Sequence, residues 1–149
     1  MIPNIKASEQ VAVLGAVVPS AQGAGANVTA WVSVANFNKL LGLVQTGVLG
    51  AAATVDAKFQ QAKDAAGTGA KDVAGAAVAQ IVKATGDNVQ AEINLDPQQL
   101  DVEGGFSFVQ LSVTVGTAAS LTAALLLGFT PRFAPASAAN AASVVQVVG

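Results

Sequence analysis

Thr54-Val55-Asp56-Ala57-Lys58-Phe59-Gln60-Gln61 decides the fold: Thr54, Asp56, Lys58 and Gln60 fall on one side, Val55, Ala57 and Phe59 on the other. A period of two is the mark of a strand with one wet and one dry face. Similar alternation recurs outward from this stretch. Val89 to Leu95 opposes Val89, Ala91, Ile93 and Leu95 to Gln90, Glu92 and Asn94. Phe106 to Gly116 opposes Val109, Leu111, Val113 and Val115 to Gln110, Ser112 and Thr114.

Further strands are expected over Val11 to Val18, ended by Pro19, and over Val28 to Ala35, Lys39 to Thr46, and the short Lys71 to Ala74 and Val78 to Lys83. The last two are split by Gly75, read as a bulge. Leu121 to Phe129 is almost wholly apolar, which predicts a central or doubly covered strand. Asp64 to Ala70 reads as a hairpin loop, and Asp96 before Pro97 as the start of one helical turn. A helix over Asp72 to Ala84 is the alternative, weakened by Gly75 and by the β-branched Val78, Ile81 and Val82.

About eight strands with regular turn signals predict an all-β chain, a single β-sandwich of jelly-roll type with extended N- and C-terminal arms. The expected division is an arm over 1–10, the sandwich over 11–130 and a second arm over 131–149. Ala136 to Gly149 carries no charge, unlike most solvated tails, which predicts an arm that docks on a neighbour; a floppy end is the bland alternative.

The chain of 149 residues has no His, no Cys and no Tyr. Its serines therefore lack a histidine to activate them, and thiolate metal sites are absent. Paired carboxylates are the remaining catalytic option, and Asp56 with Glu92 is the candidate pair. The acidic groups Asp64 to Asp72 and Asp96, Asp101, Glu103 lack calcium-loop spacing, and the glycine pairs lack the lysine of a phosphate loop. No catalytic residue, metal or cofactor is expected, and the chain is read as a non-enzyme.

Charged residues make up 11% of the chain, against about 25% in an ordinary soluble domain. So few charges predict a surface largely covered in an assembly, hence a homo-oligomer. One Arg and six dispersed Lys make no basic stripe for nucleic acid. Leu40 to Ala53 is too short and too interrupted to span a membrane, and Val11 to Val18 is a poor signal peptide.

Ala53 to Ile81, with Gly104-Gly105-Phe106-Ser107-Phe108-Val109-Gln110-Leu111 beyond it, resembles a family of small structural proteins of tailed bacteriophages and prophages. The likeness runs over about residues 28–133: an Ala-Thr-x-Asp-x-Lys strand, a glycine turn after Asp64, an Asp-Val-x-Gly-Ala strand and a Phe-x-Phe-Val strand. Ala70 and Gln110 depart from it, standing where an aromatic and a basic residue are common in the family. The resemblance implies a virion component made in the bacterial cytoplasm: a decoration or cement protein that stabilises the phage head, with the major capsid protein and its own copies as partners. A receptor- or glycan-binding module of a tail fibre or head spike is the alternative. Phe106, Phe108, Arg132, Phe133, Pro135, Val144, Val145 and Val147 are the expected partner-binding residues.

Overall fold

A computed structural model describes residues 2–149; Met1, at the start of the expected N-terminal arm, lies outside the described residues. The described residues form ten strands: β1 (Val11–Gln22), β2 (Gly25–Val28), β3 (Val32–Ser33), β4 (Phe37–Thr46), β5 (Thr54–Ala62), β6 (Lys71–Ala77), β7 (Ile81–Val82), β8 (Gln90–Leu95), β9 (Phe108–Gly116) and β10 (Ser120–Pro131). A single turn of helix, α1, covers Ala7–Gln10, and 3-10 turns cover Pro97–Gln99 and Ala136–Ala139.

One sheet has the order β1-β10-β4-β8, and the other β2-β9-β5-β6, with β3 also on β9 and β7 also on β5. Every pairing is antiparallel. Counting β2 with β3 and β6 with β7 as interrupted strands, the ten reduce to eight, ordered 1-8-3-6 and 2-7-4-5. That order is a jelly roll.

The inner faces meet in a core built largely of Ala, Val and Leu. Its two large rings lie against glycines. Phe59 of β5 reaches across to Gly42 of β4, where an added Cβ would fall 3.1 Å from the ring. Phe37 lies over Gly128 on the neighbouring β10, where an added Cβ would fall 2.7 Å away. Both rings are almost fully buried. Large opposite small is how a thin core reaches close packing.

Several sequence expectations are revised. β1 does not end at Pro19 but runs to Gln22, because Pro19 falls in a register shift between Val17 and Ser20, where its missing N–H costs no ladder bond. The expected Val28 to Ala35 strand is broken between β2 and β3. Thr29 turns inward there, and its hydroxyl accepts the Leu111 amide (3.0 Å) in place of a backbone partner. Residues 72–84 form β6 and β7 rather than a helix, with Gly75 at φ +76 in the expected bulge. Asp96 and Pro97 begin the 3-10 turn as expected, the Asp96 amide donating to Gln99 Oε1.

The stretch beyond β10 is not a free arm throughout. Ala136 is fully buried in the core, Asn140 Oδ1 accepts the Val13 amide (2.9 Å), and the Ala141 amide donates to the Val13 carbonyl (2.7 Å). These contacts cover part of the open edge of β1, which would otherwise template strand pairing. Only the last residues stand off: Val145 is 92% exposed. The N-terminal segment folds back likewise, Gln10 Nε2 donating to the Ile2 carbonyl (2.9 Å), and Lys6 Nζ donates to the Gly149 carbonyl.

The ring-on-glycine contact yields a stability prediction. Phe59→Ala should lower unfolding free energy by about 3–5 kcal/mol. Gly42→Val should lower it by about 1–3 kcal/mol, since the added carbons meet the same ring. Urea denaturation measures both; a loss below 1 kcal/mol for Phe59→Ala would refute the packing account.

Candidate functional site

The two outer faces of the sandwich differ in character. On the β2-β9-β5-β6 sheet the outward side chains are polar and tied to one another. Lys58 and Asp72 form an ion pair (2.8 Å), Gln60 Nε2 donates to Asp72 Oδ1 (3.1 Å), Gln110 Nε2 donates to Gln60 Oε1 (2.8 Å), and Gln80 Nε2 donates to Asp56 Oδ2 (2.9 Å). This is a wet face on which several polar side chains bond to one another.

The β1-β10-β4-β8 sheet is the reverse. β10 turns its small residues Ser120, Thr122, Ala124 and Gly128 inward, and of its large ones only Leu126. Leu121, Leu125, Leu127 and Phe129 point outward. Leu125 pairs laterally with Ala16 and Leu43, and Leu127 with Val13 and Leu41. The result is an apolar block three strands wide, in which Leu121 is 45% and Leu125 36% exposed, with Val18 beside it at 70%. Charge on the strand positions of this face is confined to Lys39, at a corner, and Glu92, on the edge strand β8. Expected as a central or doubly covered strand, β10 is central in its sheet, while its outward Leu121 and Leu125 remain exposed.

The expected partner-binding residues lie in different surroundings. Phe106 is covered by its own chain: Gly69 of the β5–β6 loop lies against its ring, and Lys71 Nζ and Lys63 Nζ stand 4.2 Å and 5.5 Å from the ring centroid. The loop is held by Asp64, whose carboxylate accepts the Ala66 and Thr68 amides (2.9 and 3.1 Å), and Gly67 packs on the Trp31 indole. Burial under this loop takes Phe106 off the free surface, while Phe108 is half-buried. Phe133 is 77% exposed on a backbone pinned from two sides. Asn36 Oδ1 accepts the Phe133 amide (2.9 Å), and Asn38 Nδ2 donates to the Thr130 carbonyl (3.0 Å). Arg132 and Pro135 beside it are exposed, as are Val145 and Val147, whereas Val144 is half-buried.

The candidate carboxylate pair does not converge. Asp56 lies on the outer face of one sheet and Glu92 on the outer face of the other. Three further acids each pair with a separate lysine: Asp96 with Lys39 (2.6 Å), Asp101 with Lys71 (2.6 Å) and Asp87 with Lys83 (2.6 Å). No cluster of three or more potential metal ligands occurs among the described residues. A cleft of about 430 Å³ lies where Pro19 and Leu121 meet the amides of Gln45, Asn88 and Gln90, and no aromatic ring lines it. No helix among the described residues is long and apolar enough to cross a membrane.

No family model and no curated protein matches the chain. Solved structures with a similar course of chain do exist. A chain of the Cowpea Mosaic Virus empty virus-like particle aligns with TM-score 0.45 and 11% identity, over 86% of this chain and 84% of that one. A chain of Broad Bean Stain Virus aligns with TM-score 0.46 and 10% identity, over 90% and 92%. The CBM22-1 xylan-binding domain of Paenibacillus barcinonensis Xyn10C aligns with TM-score 0.38 and 17% identity, over 80% and 81%. These two viruses are not tailed phages, and the jelly-roll assignment rests on the strand order above.

The acids set the pH response. The carboxyls of Asp64, Asp72, Asp87 and Asp101 are all held below the ordinary range, by Thr68, Lys58, Lys83 and Lys71 respectively as the chief hydrogen-bond partners. A depressed folded pKa means that the unfolded chain takes up protons first as pH falls below about 3.9. Stability from these groups is therefore present above that pH and lost as pH drops through the folded values. With no histidine in the chain, the melting temperature should be flat between about pH 5 and 7 and fall below about pH 4. A decline already under way at pH 6 would contradict this assignment.

Proposed function

We propose that the protein is a non-enzymatic structural component of a virus particle, a head decoration or cement protein that binds the major capsid protein and its own copies. The observation that carries this reading is the dry outer face of the β1-β10-β4-β8 sheet. A protein that works alone in water has no use for a flat apolar face of this extent, which mainly promotes association. The low charge of the chain supports the same reading, as does the resemblance of Ala53 to Ile81 and Gly104 to Leu111 to small structural proteins of tailed phages.

Phe133, with Arg132 and Pro135 beside it, supplies a second contact element. Its ring is exposed while its backbone is already ordered by Asn36, so binding through it forfeits little conformational freedom. The uncharged end, with Val145 and Val147, is the docking arm. Each copy contributes a modest contact, and repetition over a lattice multiplies the effect through avidity.

The second reading, a glycan- or receptor-binding module, has the amide-lined cleft at Gln45, Asn88 and Gln90 in its favour. Against it stands the absence of an aromatic platform there. The structural reading predicts no robust binding on a glycan array.

A stained gel of density-purified particles tests the main reading: the protein should be present at hundreds of copies. Its absence from particles, or a handful of copies, would overturn the cement role. Phe133→Ala should leave stability within about 0.5 kcal/mol of wild type yet reduce the copies retained on the particle. Truncation after Ala141 should do the same, since it spares buried Ala136 and the Asn140 contact to Val13.

A further inference from the structure

We propose that the dry face of the β1-β10-β4-β8 sheet is where a second copy of this chain packs, sheet against sheet, which leaves Phe133 and the C-terminal arm for the capsid lattice. This rests on the reading of the protein as a many-copy structural component and assigns its surfaces.

Three observations favour a copy of the same chain. The first is shape. Outward side chains on β1, β10 and β4 form an apolar sheet surface, and sheets pack face to face on sheets, about 10 Å apart with strands within about 30° of alignment. The second is charge. Beside Val13, Leu41, Leu43, Leu125 and Leu127, the border carries the amides of Gln45, Gln90 and Asn94 and a single carboxylate, Glu92 on the edge strand, all on the same face by the β4–β8 register. An amide both donates and accepts, so the amides of this border can pair with those of a copy. Lys39 is already paired with Asp96 at the corner, and no block of one sign repels a twin. The third is area. Three strands at about 4.8 Å spacing and five outward positions at about 6.8 Å intervals make a face of about 500 Å². Two such faces give about 1,000 Å², the level a specific interface requires.

The other surfaces fit a copy less well. The wet sheet is polar, with Asp72, Gln60 and Gln110 bonded to one another, and offers a copy no comparable apolar block. The open edge of β1 is partly covered by Asn140 and Ala141.

Light scattering coupled to size exclusion, on the full chain over a range of micromolar concentrations, tests this. Wild type should elute at the mass of a dimer or a multiple of it. Leu125→Lys and, separately, Leu43→Lys should elute as monomers with unchanged far-UV circular dichroism. Thr114→Lys, on the wet face, should keep the wild-type mass. A monomeric wild type, or a charged variant that folds and retains the oligomeric mass, would overturn the proposal. Should Leu125→Lys fail to fold, the Leu43→Lys variant decides. The two levels fail separately: a monomeric chain abundant in particles overturns this surface assignment alone, and a dimer absent from particles overturns the cement reading alone.

Discussion

The thinness of the core constrains everything else in this molecule. Phe59 of one sheet lies against Gly42 of the other, and Phe37 against Gly128. With two rings taking that volume, the inner positions of β10 hold Ser, Thr, Ala and Gly, with Leu126 the one large residue. The bulk of that strand must go somewhere, and it goes outside. The dry outer face is thus coupled to the packing within: a strand with small residues inward and large ones outward suits a sheet meant to be covered on both sides.

Polar chemistry is placed with equal economy. Asp64 holds the loop that seals Phe106, and Asn36 and Asn38 hold the backbone that presents Phe133. Asn140 reaches back to β1. Of the surface carboxylates that are catalytic or metal-binding candidates by sequence, Asp56 and Glu92 lie on opposite faces, and Asp72, Asp96 and Asp101 are each tied to a single lysine. Surface pairs of this kind contribute little stability each, and their effect is to order loops and hairpins.

The alternation of Thr54 to Gln61 and of Val89 to Leu95 was enough to place strands and faces, because side chains on a half-buried strand report the solvent directly. The bulge at Gly75 and the turn at Asp96-Pro97 were legible for a similar reason: each rests on backbone preferences of one or two residues. Less legible was everything set by contacts between distant segments. Thr29 interrupts a strand because it bonds to Leu111, and Pro19 is tolerated because a bulge falls there. The lack of charge after Ala136 was readable, but not that residues 136–141 fold back onto β1. Leu121 to Phe129 carried the strongest signal of the site, an apolar run with no wet side; what it could not disclose was which of its large side chains face the core and which face outward.

A jelly roll with one wet face, one dry face and a pinned, exposed phenylalanine is suited to a repeating protein lattice. The most direct measurement of that claim uses the absence of native cysteine: a single thiol introduced as Leu125→Cys, probed with a maleimide in free protein and in assembled particles. The account predicts labelling of the free, dilute protein, protection in the particle, and continued labelling of Ala77→Cys on the wet sheet in both. Equal labelling of Leu125→Cys in free and assembled protein would contradict it.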